Sequence, residues 1–263
     1  MSEHGVRAAQ ALVDDTLALL AALDDGDWSA DSACHGWRVH DVVTHMGFFF
    51  NFIADPDLVL PDNPSGTSER LNDAAVRERA DWSSADAIAY YREQSTAGLA
   101  TLSALQGEEL RDAPLAMLDL GTYRMSELSN AVAFDHLVHL TCDLMEPFGP
   151  VARTEVSVGE AIDPAVDWMM AGLPQMNGAA LHPVLSTPLG LRLTGATERT
   201  FVIERADDGV AVRETDDLPS DVATSEATDF LRWGTARSAW RSAVTRDGDH
   251  AHIAAVLDAI DIV

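Results

Sequence analysis

Lysine is missing from this sequence. All seventeen basic residues of the 263-residue chain are arginine, set against 43 acidic ones, for a net charge of −26. A field this negative repels polyanions, which argues against nucleic acid and anionic membrane surfaces as partners. It also repels small anionic substrates unless a local arginine overrides it. Cysteine is nearly absent: Cys34 and Cys142 are too few for a disulfide framework and are not spaced as CxxC. Two reduced thiols in a reducing cytosol are expected. Long apolar runs are lacking as well. The best candidate, MGFFFNFIA, falls far short of the roughly 20 residues that span a bilayer. The leading MSEHGVRAAQ has no basic-then-apolar pattern of a signal peptide. The expectation is a soluble, cytoplasmic protein, monomer or homodimer, whose partner is a small-molecule substrate.

What the chain does have is apolar surface to bury. Hydrophobic residues make up 47% of it, enough for one large domain or two ordinary ones. Helical periodicity runs from about residue 5 to 24, from Trp37 to Ile53, through SSADAIAYYREQSTAGLATLSAL, and from Ser126 to Met145. Ser83 or Ser84 is a natural N-cap for the third of these. Pro147, Gly149 and Pro150 stop the fourth. PDLVLPDNPSGTSER breaks the chain between the second and third. VGEAIDPAVDWMMAGL reads as a fifth, bridging helix. Beyond residue 181 the texture changes: LGLRLTG, RTFVIER and GVAVRET alternate like strands of an antiparallel sheet. ATDFLRWGTARSAW and AHIAAVLDAIDIV read as helices. The expected fold class is α plus α+β: a helical bundle over residues 1–153, a bridging helix over 154–180 and a small α+β domain over 181–263.

One stretch concentrates reactive side chains. AFDHLVHLTCDL carries Asp135, His136, His139, Cys142 and Asp143 within nine residues. At about 100° per residue these five share one arc of about 120°. A solvated helix face shows the same amphipathic pattern. Two features weigh against that reading. The face holds two histidines and a cysteine where the exposed faces of this chain are rich in Glu, Asp and Arg, and cysteine is among the more buried residue types. Asp135 and His139 also stand four apart, one turn on the same face, as two ligands of one ion must.

A catalytic divalent metal takes three protein ligands and an open position. GWRVHDVVTHM offers the third in His45, flanked at helical spacing by Val42, Phe48 and Phe49 and so directed toward a bundle interior. Asp41, one turn earlier, is placed to accept its other N–H. A core histidine with a satisfied hydrogen bond would look the same. His40 points elsewhere.

Trp37, Val39, Asp41, Val42 and His45, followed some ninety residues later by AFDHLVHLTCDL and then an α+β tail, resemble the mycothiol-dependent maleylpyruvate isomerase family. That family belongs to the DinB-like group of metal-binding four-helix bundles. The resemblance spans nearly the whole chain. Asp135 stands where the family usually has Glu, with His139 four residues on and Asp143-Leu144 beyond. DFLRWGTARSAW resembles its C-terminal domain, which is related to sterol-carrier-like folds. The resemblance implies a divalent metal, usually zinc, on His45, Asp135 and His139. Shifted alignments put His136 or Asp143 in that set instead. Cys142 lies close enough to serve as a ligand or simply to pack. The resemblance also implies a low-molecular-weight thiol, mycothiol or another, as co-substrate, and an anion-binding Arg237, with Arg241 as the alternative. The implied activity is isomerisation or thiol S-transfer on a small electrophile. A non-catalytic metal- or small-molecule-binding module and a metal-dependent hydrolase of a small substrate are the competing readings.

Overall fold

The computed structural model describes residues 2–262. It divides into two compact units at Pro164/Ala165. The helix spanning Val158–Met176 crosses that division.

Unit 1 is a bundle of four long helices with shorter elements between them. They are α1 (Ser2–Leu20), α3 (Val39–Ala54), α5 (Ser84–Ala104) and α6 (Leu128–Val138). α3 packs on α5 and α6, and α1 on α5 and α6, so the four close a ring. Its axis is filled by Leu12, Leu19, Met46, Phe50, Tyr91, Leu102 and Leu137, all fully buried. The Leu, Met and Phe side chains among them contribute about 1.5–3 kcal/mol each of hydrophobic stabilisation. α3 and α5 approach closely because Gly47 and Gly98 lack side chains. A Cβ on Gly98 would run into the Phe50 ring, and one on Gly47 would stand 2.8 Å from Tyr90. α5 begins at a capping box in which Ser83 accepts from the Asp86 N–H and the Asp86 carboxylate accepts from the Ser83 N–H. The arrangement bears out the helices read from periodicity.

Three elements of unit 1 depart from that reading. The loop before α3 contains a one-turn helix, α2 (Asp25–Ser29), capped by Asp24. The Pro/Gly/Ser-rich break ends at Thr67, and α4 (Ser68–Glu78) follows it. Leu71 and Ala75 of α4 pack on Phe48 of α3. The loop before α6 forms a small hairpin, β1 (Pro114–Ala116) with β2 (Thr122–Arg124).

The end of α6 also differs. From His139 to Leu144 the helix widens into a π-helical turn, with Met145 N–H donating to Leu140 O five residues back. The last carbonyls of this turn, unpaired as at any helix end, find partners from outside the helix: Ala33 N–H on Asp143 O at 2.9 Å and Val151 N–H on Leu144 O at 2.9 Å. Such turns recur at functional sites.

α7 (Val158–Met176) leads into unit 2, which contains α8 (Gly178–Val184) and a five-stranded sheet of order β5-β4-β3-β6-β7. The strands are β3 (Leu189–Thr194), β4 (Arg199–Ala206), β5 (Gly209–Glu214), β6 (Asp221–Glu226) and β7 (Val244–Asp247). β3 is bordered by β4 antiparallel, with Leu191 opposite Phe201, and by β6 parallel, with Leu191 opposite Ala223. The sheet is therefore mixed, not antiparallel throughout. The helix expected over 227–240 stops early: α9 covers Ala227–Trp233. Ala236 takes a left-handed φ of 55°, and Arg237 N–H reaches back to Arg232 O, which closes the helix end. α10 (His250–Leu257) is capped by Asp249. Among the described residues no helix is long and apolar enough to cross a membrane.

Candidate metal centre

The motif helix is not a solvated face. His136 and Asp143 are fully buried, His139 and Cys142 nearly so, and the Asp135 side chain is only 13% exposed. The structure brings three of the candidates together. His45 from α3, Asp135 from α6 and His139 at the start of the π-turn each present one ligand atom, all within 4.8 Å of one another. Asp135 Oδ1 lies 3.0 Å from His45 Nε2 and 3.5 Å from His139 Nε2. Ligand atoms on a tetrahedral ion with bonds near 2.1 Å stand about 3.4 Å apart. The two imidazoles and one carboxylate thus fit a divalent metal of the zinc type, with a fourth position left open. The shorter Asp, where the resembled pattern has Glu, still reaches both histidines.

The other candidates take other parts. Asp143 Oδ2 accepts from His139 Nδ1 at 2.8 Å, which fixes the ring with Nε2 toward Asp135. His136 turns away, with its ring 5.0 Å from Phe50 and 5.9 Å from Tyr91. Its Nδ1 stands 3.2 Å from Asp135 Oδ2, out of hydrogen-bond alignment. Cys142 packs beside Thr141. The partner expected for His45 is not there. Asp41 holds the Arg38 guanidinium through two bonds of 2.9 and 3.0 Å and faces His40 at 3.2 Å. It also accepts the Arg38 N–H, and so caps α3. His45 Nδ1 is left buried with no hydrogen-bond partner among the described residues.

Charge is distributed to match. Burial opposes ionisation of His139, but Asp135 and Asp143 outweigh it and lift its pKa to about 9. For His45 burial prevails over the attraction of Asp135, and its pKa falls below the ordinary value. Burial also works against a charged Asp135, yet His139 and His45 hold its carboxyl well below the usual range. In the metal-free protein the triad is therefore an Asp135 carboxylate, a His139 imidazolium and a neutral His45.

Two residues at this site escaped sequence reasoning. The Trp37 indole lies 5.0 Å from the His45 ring and 6.5 Å from the His139 ring, near-parallel to the latter. Its Nε1 donates to Asp73 Oδ1 of α4 at 3.1 Å. Trp37 sits in the motif around His45, but nothing in the sequence points to Asp73. Arg237 belongs to unit 2, exposed, just beyond the turn that ends α9. Arg241, also in unit 2, is tied to Asp258 at 2.9 Å and lies over Trp240.

No curated protein matches the sequence significantly. Solved structures that match the fold include the mycothiol-dependent maleylpyruvate isomerase, with a TM-score of 0.60, and a histidine-to-alanine variant of it, with 0.59. Each match covers 94% of this chain and 92% of the other at 12% identity, a likeness of fold. The family described as mycothiol maleylpyruvate isomerase N-terminal domain matches residues 9–141, half of the chain and all three residues of the triad. By that match the chain belongs to the mycothiol maleylpyruvate isomerase family.

Proposed function

We propose that this protein is a metal-dependent enzyme that uses a small thiol, mycothiol or a relative, either to isomerise a small electrophile or to transfer the thiol onto it. The observation that carries this reading is the convergence of His45, Asp135 and His139 within 4.8 Å of one another inside the helical bundle. These three residues would hold the metal, with zinc the best match to two imidazoles and a carboxylate. A zinc ion bound there supplies Lewis acidity that lowers the pKa of a thiol and favours the nucleophilic thiolate near neutral pH.

The chain's own residues do the rest. Asp143 holds the Nδ1 proton of His139, so Nε2 presents its lone pair. The Asp135 carboxylate offsets part of the cationic charge. In the isomerisation, the thiolate adds to the conjugated carbon of a cis alkene. The former double bond turns as a single bond, and expulsion of the thiolate leaves the trans isomer with the thiol regenerated. By the family resemblance alone, Arg237 would bind the carboxylates of an anionic substrate, which the net charge of −26 otherwise repels. The test is turnover of a cis-unsaturated keto acid, followed by ultraviolet absorbance, with and without thiol and metal. Turnover requires both, is abolished by His45→Ala, and shows a raised KM in Arg237→Ala. Hydrolysis that proceeds without thiol would replace this reading with a hydrolase. Inertness toward thiols and electrophiles, with metal bound, would leave a binding module.

A further inference from the structure

His45 lacks the support that metal-binding histidines usually have. Such a ring is ordinarily oriented by a hydrogen bond from its second nitrogen. His139 has that bond to Asp143, whereas His45 Nδ1 has no partner among the described residues. What the His45 ring does have is an aromatic wall. Trp37 lies against it at 5.0 Å and reaches over His139 as well.

The wall itself is anchored. Trp37 N–H donates to Cys34 O, and its carbonyl accepts from Ser32 N–H and, at 2.7 Å, from Ser32 Oγ. Gly36, with φ of +82°, permits this tight turn. The same loop is bonded to the π-turn through Ala33 N–H on Asp143 O. The indole plane is fixed from outside the loop, by Asp73 Oδ1 on Nε1. Asp73 rides on α4, whose Leu71 and Ala75 pack on Phe48, three residues past His45 on α3. The other oxygen of Asp73 meets Arg70 at 3.2 Å.

We infer that Trp37 is a positioning residue of the metal centre, that its indole takes the orienting role a hydrogen bond would have at His45, and that Asp73 on α4 sets the indole. Asp73 then governs the site although it contacts none of the three ligands. This rests on the metal reading above and adds two residues to it.

The experiment measures zinc affinity by chelator competition, and the visible absorption bands of the cobalt-substituted protein, for the native chain and five variants. Far-UV circular dichroism establishes that each is folded. Asp73→Ala and Trp37→Phe each weaken zinc binding about tenfold and shift the cobalt bands. The double variant is no weaker than either single one, because both remove the same bond. Asp73→Asn, which keeps an acceptor oxygen, restores native behaviour. Arg70→Ala, which removes only the other partner of Asp73, leaves the site unchanged. If the native chain binds zinc and Asp73→Ala and Trp37→Phe bind it equally well with unshifted bands, the positioning role is wrong. It is equally wrong if Arg70→Ala does the same damage as Asp73→Ala. A native chain that binds no metal overturns the underlying metal reading, and this inference with it.

Discussion

On the proposed reading, metal binding at this centre displaces one proton. His139 carries it, with its pKa lifted to about 9 against the cost of burial by Asp135 and Asp143. His45 and Asp135 are already in their metal-binding forms at neutral pH. At a pKa of about 9 roughly one His139 in a hundred is neutral at pH 7, so the apparent affinity sits on the order of 100-fold below its high-pH limit. The logarithm of the zinc association constant should rise by about one per pH unit from pH 7 and flatten near pH 9. Competition against a chromophoric chelator across this range reads the slope. Calorimetry in two buffers of different ionisation enthalpy reads the proton, about one released per zinc at pH 7. An affinity that is flat between pH 7 and 9, or binding without proton release, would refute the assignment of the proton to His139.

Further consequences follow from the same geometry. Asp143→Asn keeps an acceptor near His139 Nδ1 but removes its charge; zinc affinity should fall about 10- to 100-fold and the plateau in the pH profile should move to lower pH. In the metal-free protein the raised folded-state pKa of His139 stabilises fully below its unfolded value of 6.5 and is lost as pH rises through about 9. The metal-free chain should therefore melt at a lower temperature at pH 9 than at pH 6.5, and saturating zinc should remove that loss; a metal-free melting temperature that rises with pH would contradict it. Gly98→Ala forces a methyl group into the Phe50 ring and should cost about 1–3 kcal/mol in urea unfolding. No loss there would mean that α3 and α5 are less closely packed than described.

The long helices were legible because their apolar residues recur over many turns, as in α1, α3, α5 and α6. α4 was not. SERLNDAAVRE buries only Leu71, Ala75 and Val76, a stripe too thin to stand out beside a Pro/Gly-rich break. β6 escaped for a related reason: DVATSE offers small and polar residues, yet as an interior strand it is buried along most of its length, including Asp221, which accepts from Asp249 N–H and His252 Nδ1. Its parallel pairing with β3 joins residues 32 positions apart, such as Leu189 and Asp221.

At the site, His45, Asp135 and His139 were nameable from helical spacing and a family pattern. The burial of their helix was not, because its covering comes from distant segments, among them the loop carrying Ala33 and Trp37. The π-turn has no local marker either, and the carbonyls at its end are satisfied by the distant Ala33 and Val151. Asp41 read as the partner of His45 because the two stand four apart on one helix. In the folded chain the nearer Arg38 guanidinium and the N-terminus of α3 claim that carboxylate first.

The central claim is that His45, Asp135 and His139 hold one divalent ion, and its most direct test is metal content. Elemental analysis of protein purified without a histidine tag and without chelator should find close to one zinc or equivalent ion per chain. His45→Ala and His139→Ala should reduce it to near zero while remaining folded. A native chain that holds no metal, even after incubation with zinc and dialysis, would contradict the account.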